Sequence, residues 1–183
     1  MESGRHAKTQ QGLTLVELMV ALLIGLLITL GATQLFITSK RSFNRVESLA
    51  KRQEAMRFLV DSLSLDIRTA DKGGITTNGD DVLRLTYSGT RTEDPYCRFT
   101  EALQWVEYTH DDPSSSVRIR YQCTDTGDMS PAPLVDGIAG IGFSVAADGT
   151  YVDVDTLFLP LDEETEDERS IRFRVTNRNS VIE

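Results

Sequence analysis

Residues 13–37 form a run of 25 residues with a single charge, Glu17, and nothing else in the chain limits its fold so tightly. Within that run, residues 18–37 read LMVALLIGLLITLGATQLFI and contain no Lys, Arg, Asp or Pro. At 1.5 Å per residue, about 20 helical residues span a hydrocarbon core of roughly 30 Å. A helix buried in a soluble core keeps a polar face; this one is apolar on every side. A cleaved secretory signal has an apolar stretch of about 7–15 residues ending in a small-residue cleavage site. Here the run continues without a break into Thr38, Ser39 and a charged helical pattern, so a membrane-inserted helix is expected.

Charge is segregated along the 183 residues, whose net charge is -9. Residues 40–57 hold the bases Lys40, Arg41, Arg45, Lys51, Arg52 and Arg57 against Glu47 and Glu54. Residues 58–183 hold 11 basic and 24 acidic residues. The chain is an apolar stem, a basic collar and an acidic body, which one soluble globule does not normally produce. The acidic balance excludes a general nucleic-acid binder, which needs a basic footprint. Two cysteines are too few for a disulfide mini-protein or a four-cysteine zinc site. The only histidines, His6 and His110, leave little room for His-based catalysis. The bases flanking the span are Arg5 and Lys8 before it and Lys40, Arg41 and Arg45 after it. Counting them does not set its orientation.

Residues 8–25 read KTQQGLTLVELMVALLIG. A base, then Gly12, then a hydrophobic residue, then a carboxylate five places after the glycine, then an unbroken apolar run resembles the leader of type IV prepilins. The resemblance implies that a membrane peptidase cuts between Gly12 and Leu13 on the cytoplasmic face and methylates the new amine of Leu13. Glu17 then becomes the fifth residue of the mature chain. Leu13 stands where most family members carry Phe. Cleavage leaves an ammonium beside lipid, and the Glu17 carboxylate of one subunit can neutralise the amine of its neighbour. Two such charges 4 Å apart attract by about 1 kcal/mol in water and about 4 kcal/mol at an effective dielectric of 20.

Beyond the span, Phe43, Val46, Leu49, Ala50, Met56, Leu59, Val60, Leu63 and Ile67 recur at helical spacing. One helix is expected from about Leu13 to about Asp71, stopped by Gly73 and Gly74. Its second half should lay Leu59, Leu63 and Ile67 on a globular body. Phe36, Ser39, Lys40, Ser42, Phe43, Gln53, Glu54, Arg57, Phe58, Asp66 and Arg68 together resemble the PilW-type minor pilins. The J-class pseudopilins of type II secretion systems have a similar layout. The resemblance is dense over residues 12–72 and thin beyond.

After Gly74 the pattern turns towards period two. Strands are expected at residues 82–87, 103–109, 117–123, 141–146, 156–161 and 170–176, with a hairpin around Asp111, Asp112, Pro113 and Ser114 and a turn or short helix at 134–138. The expected fold is α+β, pilin-like: a long N-terminal helix, transmembrane in its first half, packed on an antiparallel sheet. The segments are a leader (1–12), a transmembrane and polymerisation half-helix (13–37), an amphipathic half-helix (38–72) and a β-rich periplasmic domain (75–183). Cys97 and Cys123 are either buried thiols or a disulfide; the pilin resemblance implies the disulfide of an oxidising periplasm. Asp148, Asp153 and Asp155 are weak candidates for calcium, since they lack the EF-hand spacing and its terminal Glu. Residues 162–168 hold six acids in seven positions, which read as a solvated loop. No phosphate-cradling glycine loop and no nucleophile elbow is present, so neither an enzyme nor a cofactor is expected.

The function implied is that of a minor pilin that helps to initiate type IV pili and supports adhesion, twitching motility or DNA uptake. A J-class pseudopilin is the alternative. The implied partners are prepilin peptidase, other minor pilins, the major pilin, the inner-membrane assembly platform and the membrane itself, with no direct nucleic-acid contact. The implied location is the inner membrane, single-pass with a periplasmic C-terminal domain, and then the fibre, at its tip.

Overall fold

The fold is that of a computed structural model, in which residues 14–89, 94–97, 101–124, 130–160 and 169–181 are described. Helix α1 (Leu15–Thr69) comes first, with Glu17 in its first turn and Arg68 in its last. This charge order suits the helix dipole. Contacts divide the chain into two compact units, Met1–Glu47 and Ser48–Glu183.

In the first unit the apolar helical residues have no core to enter. Leu15 is 75% exposed, and Leu22, Leu26 and Ile28 are each more than 60% exposed. In water this surface would be prohibitive; the helix is long and apolar enough to cross a membrane.

In the second unit the end of α1 buries Leu59, Leu63 and Ile67, spaced four apart and thus on one face. Phe58 and Leu65, on other sides of the helix, stay exposed. The helix ends at Thr69, and the turn that follows it passes through Gly73, whose φ of 75° lies in the left-handed region. Gly74 follows in a close backbone crossing: it accepts from the amide of Thr86 at 2.9 Å, and a Cβ there would collide with the Thr86 side chain. The last helical carbonyls are capped from the far end of the chain. Asn177 Nδ2 donates to the Ala70 carbonyl at 3.1 Å, and Asn179 Nδ2 donates to those of Ala70 and Thr69.

Two antiparallel sheets complete this unit where a single sheet was expected. The first has five strands in sequence order: β1 (Ile75–Thr77), β2 (Val82–Thr86), β3 (Leu103–Asp111), β4 (Ser116–Cys123) and β5 (Ala132–Asp136). The second is β6 (Ile138–Val145), β7 (Tyr151–Phe158) and β8 (Arg169–Thr176). A short helix, α2 (Arg178–Val181), ends the described chain. Leu83, Leu85, Val106, Tyr108, Val117, Val152, Val154 and Phe158 share one core with the α1 face. The hairpin β3–β4 turns through a 3-10 turn (Asp112–Ser114), close to expectation.

The outer face of the five-stranded sheet carries a cluster around Trp105. The guanidinium of Arg84 lies 4.4 Å and that of Arg120 5.3 Å from its ring. Glu107 ties the two arginines together, at 2.8 Å from Arg84 and 2.6 Å from Arg120. The indole N–H of Trp105 donates to Gln122 Oε1.

Two local expectations are corrected. Residues 134–138 are not a turn or helix: β5 occupies 132–136, and Gly137, with a φ of 81°, breaks it from β6. Pro133 masks the strand pattern, yet β5 is an edge strand, where a missing N–H is tolerated. Residues 151–155 are not a liganding loop but the first half of β7, in which Val152 and Val154 are buried and Asp153 and Asp155 face outwards.

Candidate functional site: the N-terminal segment and its body

Thr14 opens the helix in the manner of an N-cap. Its hydroxyl accepts the amide of Glu17 at 3.3 Å, and its carbonyl accepts the amides of Glu17 and Leu18 at 3.1 and 3.2 Å. Threonine followed three residues later by glutamate is the sequence form of a capping box. Glu17 is therefore the third residue of α1, held at the helix end that favours negative charge, and its side chain is exposed. Every large apolar side chain of the following stretch from Leu18 to Leu30 is at least half exposed. The Glu17 carboxylate thus lies beside an uncovered apolar surface. Gly12 and Leu13, the expected cleavage pair, lie outside the described residues.

Within the body, Cys97 and Cys123 are disulfide-bonded, with Cα atoms 5.9 Å apart and a sequence separation of 26. The bridge ties residues 94–97 to the end of β4. Next to it the Tyr96 ring lies 5.0 Å from that of Tyr121. The Tyr96 hydroxyl donates to Asp66 Oδ2 at 2.8 Å, and the hydroxyl of Tyr108 donates to the same oxygen at 2.6 Å. Tyr87 donates to the backbone carbonyl of Asp66 at 3.0 Å. Asp66 is fully buried. Burial first, and the Asp66 charge second, push the Tyr108 hydroxyl well above the usual tyrosine range. Sequence reasoning quotes Asp66 only as part of a resemblance and misses this cluster. The available signal is an acid beside Leu63 and Ile67 on the buried helix face.

The calcium candidates do not converge. Asp148 accepts the Thr150 amide at 3.1 Å and the Thr150 hydroxyl at 2.7 Å; these bonds hold its carboxyl below the usual range. Asp153 takes two bonds from Arg174, at 2.7 and 2.8 Å, which likewise lower its pKa. Asp155 is bonded by Arg172. Each strand carboxylate thus meets its cross-strand arginine in the β7–β8 register. Among the described residues no three His, Cys, Asp or Glu side chains form a metal-ligating group; residues 162–168 lie outside them. His110 is a structural tie: Nε2 donates to the Ile138 carbonyl at 2.9 Å, and Nδ1 lies 2.8 Å from Asp112.

No curated protein and no solved structure matches the chain. One family model does: residues 7–33 match the prokaryotic N-terminal methylation motif. That match covers Gly12, Leu13, Glu17 and most of the apolar run. The motif is typical of type IV pilins and pseudopilins, which are generally structural rather than enzymatic, and it implies processing by prepilin peptidase. A methylation motif leading into an apolar helix, whose continuation packs on antiparallel sheets, makes this chain prepilin-like with a pilin-like α+β fold.

Proposed function

We propose that the chain is a minor pilin of the PilW type that is cut between Gly12 and Leu13, methylated on Leu13 and incorporated into a type IV pilus near its tip. The observation that carries this is the placement of Glu17: third in a capped helix, exposed, and followed by an apolar surface with no intramolecular cover. Before extraction the subunit is held in the inner membrane by residues 13–37, with its C-terminal body in the periplasm. There it meets prepilin peptidase, the assembly platform, other minor pilins and the major pilin. The Glu17 carboxylate of one subunit pairs with the Leu13 ammonium of the next and helps to set the register of the growing fibre. The resemblance over residues 36–68 favours the pilus over the J-class pseudopilin.

Two measurements test this. Mass spectrometry of the membrane-extracted protein should find a methylated Leu13 as its first residue; a start at Met1 in cells with active prepilin peptidase overturns the reading. Glu17→Ala and Glu17→Gln should leave membrane-bound protein unchanged and strongly reduce its amount in sheared surface fibres. Normal incorporation of both would show that Glu17 has no such role. Wild-type protein found only in secretion pseudopili would transfer the assignment to the J class.

A further inference from the structure

The basic collar just past the apolar run is not used by any step above. Lys40, Arg41 and Arg45 lie three to eight residues beyond Ile37 on the same helix, and no Asp or Glu occurs between Glu17 and Glu47. At 1.5 Å per residue they sit about 4.5 to 12 Å past the end of the run. The headgroup layer is roughly 5–7 Å deep on each side of the hydrocarbon core, and long basic side chains reach along the helix to it. At 100° per residue, Lys40, Arg41, Asn44 and Arg45 fall in one arc of about 140°. Ser39, Ser42, Phe43 and Val46 fill the other side, where Phe43 is 69% and Val46 62% exposed. The collar is thus a basic stripe set apart from an apolar stripe, at headgroup depth.

Resting on the membrane reading of residues 13–37, we infer that Lys40, Arg41 and Arg45 form a binding stripe for the phosphates of anionic phospholipid headgroups. Depth selects lipid over nucleic acid: the bases start where the hydrocarbon ends, so the first phosphates within reach are those of the bilayer. The stripe holds the subunit at the membrane surface before assembly, and extraction into a fibre has to break these contacts.

The test reconstitutes the full-length protein in vesicles of equal phosphatidylcholine and phosphatidylglycerol, each lipid in turn carrying a photo-crosslinking group near its glycerol backbone. A base beside an anionic surface contributes about fivefold, so phosphatidylglycerol should be favoured by about fivefold or more, with adducts mapping to residues 40–45. Lys40→Gln, Arg41→Gln and Arg45→Gln together should bring the ratio to about one. Lys40→Arg, Arg41→Lys and Arg45→Lys together should preserve it, and added salt should lower it. Equal labelling of the two lipids by wild-type protein that resists alkaline extraction would overturn the inference and leave the membrane reading standing. Release of wild-type protein by alkaline extraction would overturn both. Duplex DNA bound in phosphatidylcholine vesicles through the same three bases, with no lipid preference, would overturn it in favour of nucleic acid.

Discussion

Asp66, itself fully buried, accepts the hydroxyls of the buried Tyr108 and the half-buried Tyr96 on one carboxylate oxygen. Replacing it with alanine strands both donors, and each buried unsatisfied donor costs about 1–3 kcal/mol. Asp66→Ala should therefore lower the stability of the detergent-solubilised full-length protein by about 3 kcal/mol in chemical denaturation, and Asp66→Asn by less, since the amide keeps an accepting oxygen. Tyr108 has a pH signature. Its folded pKa is raised above the unfolded value, so its contribution is fully present below about pH 10, the ordinary tyrosine pKa. It is lost as pH rises towards the folded value, because the unfolded chain gives up the proton first. The denaturation midpoint should fall above about pH 10, and Tyr108→Phe should flatten that fall. The sequence shows an acid on the buried helix face but not its partners, because Tyr96 and Tyr108 are 30 and 42 positions away and only the fold brings them to it. Asp153 and Asp155 fail in the opposite way. Their closeness in sequence suggests a shared ion, whereas a strand holds each opposite its own arginine on β8.

Helix α1 and the β3–β4 hairpin were readable because period and punctuation agree in them: apolar residues at helical spacing up to two glycines, then alternation on both sides of a Pro-containing turn. Strand β5 was hidden by Pro133, and the start of β7 by its aspartates, since edge position and cross-strand pairing are tertiary facts. The buried helix face allows a direct comparison. Leu63→Ala, at a fully buried site, should cost about 2–5 kcal/mol. Phe58→Ala, at a site half exposed, should stay within about 0.5 kcal/mol. Equal costs, read from urea midpoints, would mean that the helix does not seat on the sheets by its Leu59, Leu63 and Ile67 face. At the junction that follows, Gly74→Ala forces a methyl into Thr86 and should cost about 1–3 kcal/mol by thermal denaturation.

For the whole molecule the decisive information is unevenly spread. The methylation motif over residues 7–33 was legible because it is a local pattern, whose spacing stands in the sequence itself. The Cys97–Cys123 pairing stayed open until the fold set the two Cα atoms 5.9 Å apart. Closing this loop removes unfolded-state entropy equivalent to about 3.5 kcal/mol. Cys97→Ser with Cys123→Ser should lower stability by about that amount, and the native thiols should resist alkylation until reduced. The Trp105 cluster has a practical corollary for all such measurements. The protein has one tryptophan, and its indole lies on the outside of the five-stranded sheet between two guanidiniums, away from the helix contact. Intrinsic fluorescence is therefore a surface gauge: emission should change when something covers that sheet face, even while the interior stays intact, and it should be nearly blind to loosening at Leu63.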